Sequence, residues 1–257
     1  MPKIDEQELR WNVYHYTDLN ALINILGKDN IILRATNILY LNDPRELLEG
    51  IDVVNETMGC KISSGVFRNY YLTSFSDNSD DLNMWGMYAA NGCGCALAFD
   101  YDELSKVYLI MARCIYGKKE IKDSFISFHN LSLTADFMPL GGQMLPKSDE
   151  EHNRRALAHN NIIWTSLGAK NDAYRFEKET RGVLYCSDKE KVKFRTRGGY
   201  IVPYVEVILP KCALKEIVIG PTDYTILKEQ SIIHFLQING YDLDAIKLVR
   251  SQIPYRG

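Results

Sequence analysis

Charged side chains recur at every second position in the segment 174–181, directly before the apolar residues 182–185. If this segment forms a β-strand, its period of two places Glu177, Glu179 and Arg181 on one face of a sheet. Burying three charges is costly and folding does not require it, so this strand constrains its surroundings. It borders either solvent, with the charges in ordinary surface salt bridges, or a cleft that has a chemical purpose.

Two carboxylates beside a guanidinium form a chemical site if they line a cleft. One carboxylate can stabilise developing positive charge and the other can orient a nucleophile, while the guanidinium holds both in the ionised form. Glu179 and Glu177 are therefore candidate catalytic residues, with Arg181 beside them.

The composition excludes several classes of protein. The 257 residues are 46% hydrophobic and 25% charged, which is typical of a globular protein with a sizeable core. The net charge of −3 argues against bulk polyelectrolyte binding but permits a local basic patch. The chain has no apolar run of membrane-spanning length and its N-terminus is polar, so we expect a cytoplasmic location and no membrane partner.

The cysteines and histidines give little indication of a metal site. Six cysteines are scattered along the chain, and Cys93 and Cys95 form the only close pair. No second pair completes a zinc site, and His152 and His159 lack a third ligand nearby. We therefore predict no metal and reduced cysteines that lie mostly in the core.

The order of the elements favours an α+β fold over a doubly wound sheet. Strand-like runs recur along the chain without regular alternation with helices, and residues 93–99 suit a buried central strand. We predict a single domain over residues 1–257, with a mainly helical insertion at about 118–170. The predicted helix starts include the N-caps Asp18, Asp43 (followed by Glu46 and a helix to about Met58) and Asp80 or Asp81.

Polar residues at strand ends are candidates for binding a ligand. His15 ends a predicted strand just before a helix N-terminus, where hydroxyls or phosphates are often held. Ser74 and Ser76 share a strand face, and one of them can hydrogen-bond a sugar or an amide. A half-buried histidine bonded to the backbone and ordinary turn hydroxyls are the alternatives.

A second alternation, of basic residues, follows at 189–197. If this segment is a strand, one face carries five positive charges, which can track a nucleic-acid backbone or grip a pyrophosphate. The alternative is an edge strand that its charges protect from aggregation. The five candidate target-binding residues are Lys189, Lys191, Lys193, Arg195 and Arg197.

In their order along the chain, the short motifs resemble a widespread bacterial domain family of unknown function. The resemblance covers about residues 12–250 and is weakest in 118–170. That family is in turn similar, more distantly, to the ADP-ribosyltransferases, whose split antiparallel sheet and surrounding helices form a cleft for NAD. The matching motifs are Tyr14-His15-Tyr16-Thr17, Leu41-Asn42-Asp43-Pro44 with Glu46, Ser74-Phe75-Ser76, Met84-Trp85 with Tyr88, residues 94–99, 176–181 and 216–221.

The resemblance implies roles for the first and last parts of the three-part ADP-ribosyltransferase signature. The first part is a His or Arg on an early strand, here His15, which would hold the adenosine-side ribose with support from Thr17. The last part is a Glu on a late strand, here Glu179, while Glu177 would orient the acceptor.

The middle part of the signature has more than one match. Ser74 or Ser76 fits it in some lineages, and Tyr88 is an alternative that would place a ring against nicotinamide. Tyr16 and Arg181 lie in the matching motifs and are implied as further contacts of NAD.

The resemblance implies transfer of ADP-ribose from NAD to a macromolecule, either nucleic acid or protein. Such proteins serve as toxins or in defence against phage, often with a neutralising or regulatory partner protein. Loss of nicotinamide leaves an oxocarbenium-like ribose, which a nearby carboxylate stabilises in the transition state. The alternatives are an NAD glycohydrolase and an inactive module that binds a nucleotide or a partner.

Overall fold

A computed structural model of the chain describes residues 11–41, 45–59, 61–134, 139–140, 143–144, 150–222 and 226–254. Its strands are β1 (Asn12–Thr17), β2 (Ile31–Asn37), β3 (Tyr70–Ser76), β4 (Cys95–Asp100), β5 (Ile110–Arg113), β6 (Ile115–Tyr116), β7 (Pro139–Leu140), β8 (Gln143–Met144), β9 (Ala169–Lys170), β10 (Glu179–Tyr185), β11 (Lys193–Arg197), β12 (Tyr200–Leu209), β13 (Leu214–Ile219) and β14 (Lys247–Arg250). Its α-helices are α1 (Leu19–Ile25), α2 (Glu46–Met58), α3 (Leu82–Tyr88), α4 (Tyr101–Ser105), α5 (Lys118–Thr134), α6 (Glu150–Gly168) and α7 (Ile226–Ile238).

Most of the strands form one large sheet in the order β11-β12-β2-β3-β1-β4-β13-β14, with β10 added beside β3 and β5 beside β10. Every pairing in this sheet is antiparallel except that of β13 with β14. This confirms the expectation of a mixed fold built on a mostly antiparallel sheet.

Strand β3 is the point at which the sheet divides. One edge of β3 pairs with β10 along its whole length. On the other edge, β1 pairs with it at Ser76 and β2 pairs with it at Tyr71 and Leu72. Within the described ranges, residues 73–75 have no strand partner on that edge, because β1 and β2 diverge from it. The divergence opens a gap in the middle of the sheet.

The core explains why the predicted central strand forms. All six residues of β4 are buried, and β4 lies between β1 and β13. Small and apolar side chains at 95–99 allow both faces of this strand to be covered. The largest buried cluster joins β4 to β2, β12 and β13 and includes Leu33, Leu97 and Val207.

Several predicted helix boundaries are confirmed. Asp18 accepts a hydrogen bond from the Ala21 amide at 2.7 Å, and Asp81 caps α3. Helix α2 ends at Met58, as predicted, and Gly59 follows it in the left-handed conformation with φ of 64°. The predicted cap Asp43 lies outside the described residues.

The predicted helical region at 118–170 contains α5 and α6, which pack against each other and against α2. Helix α2 approaches α6 closely at Gly50, because a Cβ built there would lie 2.6 Å from the backbone of Ser166. None of the helices in the described ranges is long and apolar enough to span a membrane.

Two predicted strands are shorter than expected. Glu177 ends a 3-10 turn (Asp172–Glu177), and Lys178 adopts a left-handed φ of 42° before β10 begins at Glu179. The basic segment also starts with a turn, at Lys189–Lys191. The prediction of one continuous strand was therefore wrong in both segments, because a polar turn precedes each strand and breaks the alternation.

Candidate functional site

A cavity of about 550 Å³ lies at the gap of the sheet, within the ~300–1,000 Å³ typical of small-molecule sites. Parts of β1, β2, β3 and α3 line it, together with the 3-10 turn before β10. The charged side chains on its walls form two groups. An acidic group contains Glu46, Glu177 and Glu179 with Lys170, and a cationic group contains Arg34, Arg195 and Arg197.

Lys170, at the end of β9, lies among the three carboxylates of the acidic group. Its Nζ is 2.6 Å from Glu179 Oε2 and 3.4 Å from Glu46 Oε1, and it also donates to Glu177 Oε2. The lysine side chain is 7% exposed, so water contributes little to its solvation. A buried ammonium of this kind requires such carboxylate partners.

Arg181 lies behind the carboxylates and anchors two of them. Its Nε and Nη2 donate to Glu179 at 3.1 and 3.0 Å, Nη2 also donates to Glu46, and Nη1 donates to the Leu167 carbonyl at 2.6 Å. The residue is 1% exposed and does not line the cavity. The predicted contact of Arg181 with NAD is therefore wrong, because this side chain is committed to the buried network.

The ionisation of the cluster follows from these contacts. Burial acts to raise the pKa of Glu179, but the charges of Arg181 and Lys170 outweigh it and lower that pKa to about 2. Burial also raises the pKa of Glu46. Arg181 and Lys170 lower this pKa by less than burial raises it, so it stays above its ordinary value. Burial alone would lower the pKa of Lys170, but Glu179 and Glu46 raise it.

Glu177 has the fewest cationic contacts of the three carboxylates among the described residues. Its Oε2 accepts from Lys170, and its Oε1 accepts from the Tyr88 hydroxyl of α3 at 2.7 Å. Burial and the bond to Glu177 raise the pKa of Tyr88, so the phenol stays a donor. Tyr88 thus holds the carboxylate at the cavity wall. Tyr88 also lines the cavity, so the predicted contact of its ring with nicotinamide stays a prediction.

Two further side chains fix the start of β10. The Glu179 amide donates to the Tyr116 hydroxyl at 2.7 Å, and the Cys114 thiol lies 3.4 Å from Glu179 Oε2. Burial raises the pKa of Cys114, so the thiol remains protonated and donates to the carboxylate. The Glu179 side chain is therefore held by donors on several sides.

His15 lies across the gap of the sheet. Its Nδ1 is 3.0 Å from the carbonyl oxygen of Ser74, one of the residues of β3 without a strand partner on that edge. A carbonyl can only accept, so Nδ1 carries the proton and Nε2 is left as an acceptor. Burial lowers the pKa of His15, which favours this neutral form. A neutral histidine on the cavity wall suits the binding of ligand hydroxyls.

The other predicted ligand contacts divide into cavity and structural residues. Ser74 is exposed and Thr17 is buried, and both line the cavity. Ser76 is fully buried and its hydroxyl donates to the Glu177 carbonyl at 2.7 Å, so its predicted contact with a ligand is wrong. Tyr16 lines the cavity too, but its hydroxyl donates to the Asn78 carbonyl at 2.9 Å.

The predicted basic stripe is divided by the structure. Lys189 and Lys191 lie in the turn before β11, and Lys193 pairs with Glu206 at 2.7 Å. Only Arg195 and Arg197 of the five line the cavity. A continuous basic face along one strand, as predicted, is therefore not present in the described segment 189–197.

Sequence reasoning missed Lys170, Glu46 and Arg34 as site residues. Lys170 is a lone cation after the end of α6, which is a weak signal that could have been noticed. The capping pattern explained Glu46 without the site, although it is only 7% exposed and bonds to Arg181. Arg34 interrupts the apolar strand β2, which is the clearest of the three signals.

No group of three or more His, Cys, Asp or Glu side chains in the described ranges is placed to hold a metal ion. Comparison of the chain with protein-family models, with curated proteins and with solved structures yields no match. A functional assignment therefore rests on the chemistry of the cavity.

Proposed function

We propose that the protein is an NAD-dependent ADP-ribosyltransferase that modifies a macromolecule, either nucleic acid or protein. The observation that carries this proposal is the acidic group on the wall of a ligand-sized cavity. Three carboxylates face two cations, Lys170 and Arg181, which leaves a formal charge of −1 when all five are ionised. A site with this charge favours a ligand that becomes positive as it reacts.

The reaction breaks the bond between the ribose and the cationic nicotinamide. The leaving group departs neutral and needs no general acid, while positive charge develops on the ribose. A carboxylate beside that carbon acts on charge that exists only in the transition state, so it accelerates the reaction rather than merely tightening binding. The acceptor then attacks the cationic carbon, and its proton is released to solvent as the new bond forms.

Glu177 is the residue that we assign to this electrostatic role. The charge of Glu179 is already balanced by Lys170 and Arg181, whereas Glu177 has Lys170 as its single cationic partner among the described residues. The less compensated carboxylate exerts the stronger field on a nearby cation. Glu179 then positions Lys170 and, through it, Glu177.

His15 supplies orientation in this proposal. Its neutral ring lies on the wall of the same cavity with Nε2 free to accept from a ribose hydroxyl. Ser74 and Thr17 add hydroxyl groups beside it. Holding the ribose in one orientation brings the scissile bond to the carboxylate without a separate encounter.

The experiment is incubation of the protein with NAD labelled on the adenylate, with DNA, RNA and cell extract as separate acceptors. Label on one acceptor that is lost in Glu177→Gln supports the proposal and identifies the class of target. The control is Glu56→Gln, which changes an exposed carboxylate paired with Lys118 at 3.5 Å. Free ADP-ribose with no labelled acceptor would indicate a glycohydrolase. NAD left intact in every tube would contradict both and favour a binding module.

A further inference from the structure

We propose that Arg34, Arg195 and Arg197 form a phosphate-binding subsite of the cavity, specific for the diphosphate of a dinucleotide. This inference builds on the proposed function, because it concerns the same cavity. It rests on separate observations, however, and its test does not need turnover. It replaces the prediction that Arg195 and Arg197 belong to a surface for a macromolecular target.

Strand register brings the three arginines together. Arg195 and Arg197 alternate with exposed residues along β11, and Arg34 lies on β2 beyond the intervening strand β12. In β12, Tyr204 pairs with Lys193 on one side and with Thr36 on the other, which sets the three arginines on one face of the sheet.

The Tyr204 ring organises two of the guanidinium groups. The guanidinium carbon of Arg34 lies 5.3 Å from the ring centroid, and that of Arg195 lies 5.8 Å from it. Cation–π contacts of this length orient the guanidinium groups and leave their N–H donors for other partners. Arg195 also donates to the Thr36 hydroxyl at 2.8 Å, which fixes its position at the cavity wall.

The cluster has positive charge without an anion. Within the described ranges, none of the three arginines forms an ion pair. Glu206 lies opposite Arg34 in the strand register but pairs with Lys193, and the buried Nε of Arg195 has no hydrogen-bond partner. Burial lowers the pKa of Arg195, and the charges of Arg197 and Arg34 lower it further. Three like charges held together in this way are stabilised by a bound anion.

The charges of the cavity match those of NAD. Together with Arg181 behind it, the acidic group carries a formal charge of −1 when all five side chains are ionised, which suits the cationic nicotinamide ribose. The three guanidinium groups suit a diphosphate. Guanidinium groups bind phosphate oxygens through paired, charge-assisted hydrogen bonds. A ligand that lacks either a cationic end or phosphates would leave one of the two charged groups of the cavity without a partner.

Two of the three lysines of the same segment do not extend this cluster outward. Lys193 is paired with Glu206, and Lys191 lies 4.0 Å from Asp188. Their positive charge is therefore offset locally, whereas that of Arg195 and Arg197 is directed at the cavity. This distribution favours a small phosphate-bearing ligand over a nucleic-acid backbone that runs along the strand.

The test is isothermal titration calorimetry with inorganic pyrophosphate and with ADP-ribose at low salt. Arg195→Met and Arg197→Met are expected to weaken both ligands at least tenfold, and to weaken adenosine less than twofold. The matched control is Lys191→Met, from the turn before the same strand, which should change the affinities less than twofold. Thermal unfolding of each variant shows whether it is folded.

Three outcomes would overturn the inference. The first is a wild-type protein that binds neither ligand, and the second is arginine variants that bind as the wild type does. The third comes from a titration with a single-stranded oligonucleotide in the same calorimeter, if Lys191→Met loses affinity for it to the same extent as the arginine variants. A wild-type protein that binds pyrophosphate through the arginines but does not cleave NAD would refute the proposed function and leave the subsite intact.

Discussion

Five charged side chains with little solvent contact are joined by ion pairs at and behind one wall of the cavity, namely Glu46, Lys170, Glu177, Glu179 and Arg181. Arg181 and Glu179 are 1% and 2% exposed, and Glu46 and Lys170 are 7% and 6% exposed. Removing one member leaves its partner charged and unpaired in a poorly solvated site, which typically costs about 3–5 kcal/mol. The effect of a substitution therefore depends on how many partners the lost group had.

Glu177→Gln and Glu179→Gln should affect different properties. Glu179 balances both cations, so its loss should lower the free energy of unfolding by about 3–5 kcal/mol. Glu177 has fewer partners, so Glu177→Gln should stay folded and lose about 10²-fold or more in NAD cleavage. Urea unfolding and a cleavage assay measure both effects. An active Glu177→Gln would show that the assignment of the two carboxylates is reversed or wrong.

The pH dependence of stability should report Glu179. Its pKa falls from 4.5 to about 2 on folding, so its contribution is complete above about pH 4.5 and is lost as the pH falls towards 2. The full shift corresponds to about 3 kcal/mol. Glu46 acts in the opposite sense, because its pKa is raised and its protonated form is favoured on folding.

Urea unfolding between pH 5 and pH 3 measures this dependence. The wild-type protein should lose more stability over this range than Glu179→Gln does, whereas Glu56→Gln should follow the wild type. Equal slopes for the wild type and Glu179→Gln would mean that Glu179 is not held in the ionised form.

At the scale of elements, the packing of α2 on α6 determines where two site residues lie. Glu46 begins α2, and Lys170 follows α6 by two residues, so the distance between these helices sets the distance between the two side chains. The helical region at 118–170 thus contributes a residue to the site.

Gly50→Ala should destabilise the protein although alanine is the better helix former. The added Cβ would lie 2.6 Å from Ser166 Cα and from the Thr165 carbonyl oxygen, so α2 and α6 must move apart. We expect a loss of about 1–3 kcal/mol, as for other overpacked sites, together with reduced activity.

Gly168→Ala is the matched control, because it changes a helical glycine with no atom within 4 Å of the added Cβ. It should be neutral or stabilise by up to about 1 kcal/mol. Thermal unfolding of both variants tests the difference. A neutral Gly50→Ala would show that the two helices separate without cost.

At the scale of the whole molecule, the gap in the sheet is what creates the cavity. β1 and β2 leave β3 in different directions, and a ligand in the gap would contact both parts of the sheet. Binding should therefore stabilise the fold as a unit rather than one local segment.

ADP-ribose at about 100 times its dissociation constant should raise the free energy of unfolding by about 2.7 kcal/mol. For a chain of this size, that corresponds to an increase in Tm of about 5–10 °C. Adenosine at the same concentration lacks the phosphates and should give a smaller increase. Differential scanning calorimetry measures the two shifts, and equal shifts would contradict the presence of a phosphate subsite.

Local patterns in the sequence predicted much of the secondary structure. The caps at Asp18 and Asp81, the end of α2 and the buried strand β4 depend on interactions between near neighbours, which a sequence displays directly. Alternation was less reliable where a turn preceded a strand. Glu177 and Lys189 follow the alternating pattern, but their backbone is turned.

The alternation of charges did identify Glu177, Glu179 and Arg181 as a cluster. Side chains two positions apart on or near a strand lie close together in any fold. Only the tertiary structure added Glu46 and Lys170, which lie 124 residues apart in the numbering and meet through the packing of α2 on α6. The tertiary structure also places His15 on the cavity wall and Ser76 in the interior. It places Arg195 on the cavity wall and its neighbouring lysines outside the cavity. Charge and pattern are local properties of a sequence, whereas burial and partnership depend on which distant segments pack together.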